Sequence, residues 1–126
     1  MNEAAAQLWA EWSAGRLCLQ QCTACGRSQQ PPGPVCSWCH STSLTLADID
    51  GSAELVSWST VHRAPTKAFA DQVPYTLALV RVPDGALLEV RVAGDEGAES
   101  WKAGMPVVLA LGTVVDRALP TGRVAG

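Results

Sequence analysis

The chain has 126 residues, of which 48% are hydrophobic and 17% charged, and its formal net charge is −3. This composition belongs to a folded chain of one compact unit or two small ones and excludes a disordered one. The acidic balance also argues against nucleic acid or anionic lipid as default partners.

Met1 to Ala14 carries Glu3 and Glu11 and has neither the basic nor the apolar region of a signal peptide. No stretch approaches the length of a membrane span. The expectation is a cytoplasmic protein with reduced cysteines and no membrane partner. Ala5, Leu8, Trp9 and Trp12 recur at helical spacing, with Asn2 to cap the helix and Gly15 to end it. Such a stripe packs either on the chain's own body or on a partner. Two tryptophans on a short terminal helix are a large apolar load, which makes Leu8, Trp9 and Trp12 candidate partner contacts.

Arg16 to Gln21 alternates as a short strand and leads into Cys22-Thr23-Ala24-Cys25; Cys36-Ser37-Trp38-Cys39 follows close behind. Two Cys-x-x-Cys knuckles joined by a hairpin-length segment supply four thiolates to a tetrahedral metal site. Zinc is the expected occupant, one per chain, and iron uses the same ligands. A disulfide reading needs an oxidising compartment that nothing here indicates. Pro31-Pro32-Gly33-Pro34 turns the chain between the knuckles. A four-cysteine site is closed, with no position for an activated water, and so is structural. Four thiolates around one divalent ion also make the chain more negative by about two charges. Cys18 lies outside the paired spacing and reads as a small buried hydrophobe, with a spare ligand or nucleophile as the alternative. His40 reads as surface or as a neighbour of the bound ligands, and Trp38 as packing on the hairpin.

From Leu44 the pattern becomes that of strands. Ser52 to Arg63 lies between Gly51 and Pro65, Tyr75 to Val82 forms a second run, and Pro83-Asp84-Gly85 marks a turn. In Ala86 to Val92, Leu88, Val90 and Val92 point one way and Glu89 and Arg91 the other. A polar connection from Gly94 to Gly104, with a helical turn near Glu99 to Trp101, leads to a fourth strand over Val107 to Leu111. Thr113 to Arg117 reads as a fifth strand, and the tail from Leu119 reads as loosely ordered. Five short strands with a connection between the third and fourth indicate a Greek-key barrel of the OB type, with an antiparallel sandwich as the alternative. The domain limits are 1–15 for the helix, 16–45 for the ribbon and 46–126 for the barrel.

The connection between the first two barrel strands carries His62, Arg63, Lys67, Phe69 and Tyr75. Long structured loops are often functional, and three cations with two rings suit a phosphate-bearing ligand or a protein partner. Catalytic signals are missing. The sequence has no phosphate-cradling glycine loop, no Gly-x-Ser-x-Gly elbow, no His-Glu-x-x-His and no separable carboxylate pair. A non-catalytic role is the first inference. A zinc ribbon joined to an OB barrel also fits single-stranded nucleic-acid binding, although acidic residues outnumber basic ones after Leu46.

Several motifs together carry a family resemblance. They are the tryptophan-bearing helix, Gly15-Arg-Leu-x-Leu-Gln-x-Cys22-x-x-Cys25-Gly26, Pro31-Pro-x-Pro-x-Cys36-x-x-Cys39, Gly51 followed by Ser57-Trp-Ser-Thr-Val61-His62, Phe69 to Val80, and Gly104-Met-Pro-Val107. Over nearly its whole length the chain resembles the zinc-ribbon/OB-fold family catalogued as domain of unknown function 35, also described as acyl-CoA-associated. The resemblance implies a mainly β fold: an N-terminal helix, a rubredoxin-like zinc ribbon and a five-stranded OB barrel. It further implies a non-catalytic subunit in a hetero-oligomer with a thiolase-superfamily enzyme. Such enzymes include thiolases, acyltransferases and lipid-transfer-type retro-aldolases of steroid side-chain CoA thioesters. In that setting the small subunit stabilises the enzyme and helps shape its acyl-CoA site. Cys22, Cys25, Cys36 and Cys39 match the family's zinc ligands, and the His62 to Tyr75 loop would be acyl-CoA or partner surface.

Overall fold

The structure, a computed structural model, describes residues 3–63, 66–92 and 98–125. Asn2 as helix cap, Pro65 as strand end and the first part of the connection at Gly94 lie outside the described residues. Helix α1 spans Glu3–Ser13. It ends as its sequence predicts: Gly15 takes φ 91°, its N–H donates to the Trp12 carbonyl (3.0 Å), and the Arg16 N–H donates to the Glu11 carbonyl (2.9 Å). These two bonds close the left-handed cap that glycine favours. An isolated helix of this length is marginal in water. Burial of Leu8 and Trp12 holds it on the body.

Strands β1 (Cys18–Cys22), β2 (Ser28–Gln29) and β3 (Leu44–Asp48) form an antiparallel sheet in the order β2-β1-β3. Cys18 pairs with Asp48 and Cys22 with Leu44. The ribbon's own sheet therefore runs on to Asp48. Strands β4 (Ser52–Val61), β5 (Tyr75–Arg81), β6 (Leu87–Val92), β7 (Pro106–Val114) and β8 (Arg117–Val124) close a barrel in the order β4-β5-β6-β8-β7. The parallel pairing of Arg91 with Thr121 and of Val92 with Gly122 closes it. Closure removes the free edges an open sheet would leave, and it decides for the OB barrel over the sandwich.

The alternation read in β6 holds: Leu88, Val90 and Val92 are buried, beside Val80 and Ala78 of β5 and Leu55, Val107 and Leu109. The end of the chain differs from the sequence expectation. The fourth strand continues to Val114, Val115 turns at φ 62°, and the fifth strand is Arg117–Val124. The segment from Leu119 is thus an integral barrel strand, with Leu119 paired to Gly112 and Val124 to Val107.

One hydrophobic cluster joins Leu8, Trp12, Cys18 and Leu19 to the barrel interior. The ribbon is also pinned to the turn between β5 and β6. The Ser28 N–H donates to the Asp84 carbonyl (3.0 Å), and the Ala86 N–H donates to Ser28 Oγ (3.2 Å). Gly51 fixes the entry to the barrel. Its φ is 90°, and a Cβ there would lie 2.6 Å from the Leu109 carbonyl oxygen; the Leu109 N–H donates to the Gly51 carbonyl at 2.7 Å. Gly51→Ala must strain the backbone and part that contact, and it is expected to cost about 2–3 kcal/mol in denaturant unfolding. An unchanged unfolding midpoint would contradict this account.

Candidate metal centre and barrel groove

The two knuckles are built alike. The Gly26 N–H donates to the Cys22 carbonyl and the His40 N–H to the Cys36 carbonyl, both at 2.9 Å. The residue after each knuckle is left-handed, with φ 81° at Gly26 and 66° at His40. The four Sγ atoms of Cys22, Cys25, Cys36 and Cys39 all lie within 4.8 Å of one another. Cys22 Sγ is 3.6 Å from Cys39 Sγ, and Cys25 Sγ is 3.7 Å from Cys36 Sγ. A regular tetrahedron with metal–sulfur bonds of about 2.3 Å has edges of about 3.8 Å. The cysteines are therefore positioned to hold one tetrahedral metal ion.

The electrostatics of the cluster ask for a cation. The backbone N–H groups of Cys25 and Ala24 lower the Cys22 thiol to about 6, against the opposing effect of burial. The Cys39 and Trp38 N–H groups lower Cys36, with the Trp38 N–H 3.3 Å from Cys36 Sγ. At Cys39 the Ser41 N–H pulls the thiol down, but burial and the neighbouring thiols outweigh it and push it up to about 11. Without a metal the amides favour thiolates that cannot all be charged together; a divalent ion removes that conflict.

Side chains that sequence reasoning missed hold the segment between the knuckles. Gln20 and Gln29 are both buried. Gln29 Nε2 donates to Gln20 Oε1 (2.6 Å) and to the Val35 carbonyl (3.1 Å). The Gly33 N–H donates to Gln20 Oε1 (2.9 Å) and the Ser37 N–H to Gln29 Oε1 (2.7 Å). These amides replace the backbone partners that a proline-rich turn cannot supply. Their only sequence signal is a polar residue at an inward strand position. Trp38 does pack on the hairpin: its Nε1 donates to the Ser28 carbonyl (3.1 Å), and the Arg27 guanidinium lies 4.6 Å from its ring. Cys18 is fully buried, and burial pushes its thiol up, as suits an unreactive core residue.

A second feature lies on the outer face of β5 and β6, the second and third barrel strands, where OB barrels hold ligands. A hollow of about 610 Å³ is lined there by Leu77, Leu79, Leu87 and Arg91, with Trp9, Leu119, Phe69 and Tyr75 at its margins. Of the five loop residues singled out from sequence, only Phe69 and Tyr75 reach it, with ring centroids 5.8 Å apart. His62, Arg63 and Lys67 are exposed and do not line it. The cation that meets the two rings is Arg91, whose guanidinium lies 4.1 Å from the Tyr75 ring and 5.6 Å from the Phe69 ring. In the sequence Arg91 is one outward residue in an alternating strand, which reads as solvated surface. The helix contacts also divide. Leu8 and Trp12 are consumed by the chain's own core, because an amphipathic helix this short must bury its stripe to persist. Trp9 remains half-buried, with the Arg117 guanidinium 4.6 Å from its ring.

Residues 9–45 match the ChsH2 rubredoxin-like zinc ribbon domain, and residues 47–111 match the ChsH2 C-terminal OB-fold domain. The chain belongs to the DUF35 family. A solved chain of the Ltp2-ChsH2(DUF35) aldolase superposes with a TM-score of 0.81 at 31% identity, covering 100% of this chain and 98% of that one. A DUF35 protein of unknown function from Sulfolobus solfataricus shares the fold, with a TM-score of 0.63, 16% identity, and coverage of 99% and 87% of the two chains. Among curated proteins, a probable enoyl-CoA hydratase alpha subunit of Thermomonospora curvata is 35% identical over 94 residues, 75% of this chain and 28% of that protein. A DUF35 domain-containing scaffold protein of Pyrococcus furiosus is 31% identical over 77 residues, 61% of this chain and 55% of that protein. The chain therefore matches about a quarter of the first relative's length and about half of the second's. Among the described residues no helix is long and apolar enough to cross a membrane.

Proposed function

We propose that this DUF35 chain is a non-catalytic, zinc-binding accessory subunit that binds and stabilises a thiolase-superfamily enzyme and helps form that enzyme's acyl-CoA site. The observation that carries the reading is its end-to-end likeness to the chain of the Ltp2-ChsH2(DUF35) aldolase. The groove supports it as well. Where an OB barrel for single-stranded nucleic acid needs a run of cations beside its stacking rings, this face sets one arginine against Glu89 and adds Leu77, Leu79 and Leu87, which suit an acyl body.

Cys22, Cys25, Cys36 and Cys39 hold the zinc. When bound, zinc supplies stability there, since four thiolates leave no coordination position for water or substrate. Around it the chain's own residues set geometry. The Gln20–Gln29 pair fixes the inter-knuckle segment, Ser28 ties the ribbon to the β5–β6 turn, and Trp9 offers the helix's outer contact. Thiolate ligands need a reducing compartment, which supports a cytoplasmic location.

The test is to co-express the chain with the thiolase-like protein encoded nearest to it. Co-elution on size exclusion is expected, together with a loss of enzyme yield or activity when the small chain is left out. Separate elution and indifferent activity would end this reading. A salt-sensitive shift of a single-stranded oligonucleotide at physiological ionic strength would replace it with nucleic-acid binding.

A further inference from the structure

Two charged side chains line the groove, Glu89 and Arg91, and Arg91 is the one withdrawn from solvent. Arg91 Nη1 donates to Gln72 Oε1, while Arg91 Nε and Nη2 are shut off from solvent and have no hydrogen-bond partner. Nε–H and Nη2–H lie on one edge of the guanidinium plane and form a two-pronged donor whose spacing matches a carboxylate. Tyr75 and Phe69 pack against the guanidinium from one side and offer its in-plane Nε–Nη2 edge no acceptor. Glu89, two residues away on the same face, is exposed and forms no ion pair with Arg91 among the described residues. An arginine cannot shed its charge in a protein, so desolvating it without an anion is a standing cost. Sites that tolerate such a cost are often built for a ligand.

We propose that Arg91 and the groove beside it form a binding site for a small amphiphile: an apolar body along Leu77, Leu79 and Leu87, with one carboxylate received by the Nε–Nη2 edge. The hollow, about 610 Å³, falls in the range of small-molecule sites, which are mostly apolar with a few placed polar groups. Phe69 borders the hollow. It sits on the one-turn 3-10 helix Lys67–Phe69, which has no buried residue, so moving it breaks little packing. Entry of a carboxylate to the buried edge then needs a shift of this turn and not of the barrel strands.

This inference stands apart from the accessory-subunit reading. It is tested on the full chain alone, by titrating octanoate and 1-octanol and following the amide resonances of Leu77, Leu79 and Arg91. Octanoate is expected to bind at least tenfold more tightly than octanol, although octanol is the more apolar, with shifts confined to β5, β6 and the Phe69 turn. In Arg91→Met the two probes should bind equally, and the variant should melt no lower than the parent because an unpaired buried cation has been replaced by an apolar chain. Arg91→Lys keeps the charge but loses the two-pronged edge and should retain only a small part of the preference. Equal binding of the two probes to the parent chain, or a preference that survives Arg91→Met, overturns the proposal. So does octanoate binding that a saturating enzyme partner abolishes, which would assign the edge to an acidic side chain of that partner. Failure here leaves co-elution with an enzyme untouched, and failed co-elution leaves this result untouched.

Discussion

Cys36→Ser is expected to reduce the metal content from one ion per chain to none and to unfold the ribbon while the barrel strands persist. The reason lies in how little else holds the segment. Its buried side chains are Cys18, Leu19, Gln20, Cys22, Ser28, Gln29, Pro32 and Cys36, which is too little apolar surface for a core. Structural zinc contributes about 10–16 kcal/mol of apparent binding free energy in zinc-finger peptides, comparable to the whole stability of a small domain. Serine in place of Cys36 leaves three thiolates and a hydroxyl, a much poorer donor set for the same ion. Once the knuckles part, the Gly33 and Ser37 amides lose the positions from which they donate to Gln20 and Gln29. The buried glutamines then become a liability, because a half-satisfied polar network costs more than none. Metal analysis combined with amide exchange reads both effects. Gly33 and Ser37 should lose protection by orders of magnitude, while Ala78 and Val90 change little. One bound ion per chain with unaltered protection would refute the assignment of Cys36 as a ligand.

The cysteine spacing made the ribbon legible because metal geometry is local: two knuckles of fixed length leave little freedom in where the sulfurs go. The alternation of Leu88, Val90 and Val92 was legible for a similar reason, since one face of a barrel strand is inside. The chain's end was not. The turn between β7 and β8 is Val115-Asp116, without glycine or proline, and it puts a β-branched residue at φ 62°, a conformation such residues rarely adopt. Pro120 and Gly122 then look like strand breakers. In the barrel β8 meets β6 only at Thr121 and Gly122, so at Pro120 the β6 side asks for no backbone donor. A Cβ on Gly122 would lie 3.1 Å from Val107 Cγ1 and 3.2 Å from Val90 Cγ2. Both residues serve closure, a non-local demand that a pass along the sequence cannot see.

The groove divides in the same way. Phe69 and Tyr75 could be singled out because a long loop with aromatic residues is unusual. Arg91 could not, because its importance comes from register: it pairs with Leu77 of β5, which brings it beside the rings. His62, Arg63 and Lys67 drew attention as cations, and the fold leaves them exposed.

Trp12→Ala is expected to release α1 from the barrel. Trp12 is 3% exposed and belongs to the cluster that runs from Leu8 through Cys18 into the barrel. Its Nε1 also donates to the Cys18 carbonyl at 2.9 Å. Removing a buried tryptophan side chain costs about 3–5 kcal/mol, and leaving the Cys18 carbonyl unpaired accounts for about 1–2 kcal/mol of it. A helix this short cannot survive such a loss by propensity alone, so the cost should appear first as local opening. In Trp12→Ala the α1 amides should exchange nearly freely, while exchange at β5 and β6 should speed up by far less than the full loss would require of a single cooperative unit. Trp12→Phe separates the two contributions. It keeps most of the apolar contact and loses only the N–H, so α1 protection should fall by about fivefold to thirtyfold, corresponding to about 1–2 kcal/mol. Because Trp12 also borders the groove, the alanine variant should widen it and weaken octanoate and octanol alike, leaving their ratio intact. A helix as well protected in Trp12→Ala as in the parent would mean that Leu8 and the Trp9–Arg117 contact hold α1 without it.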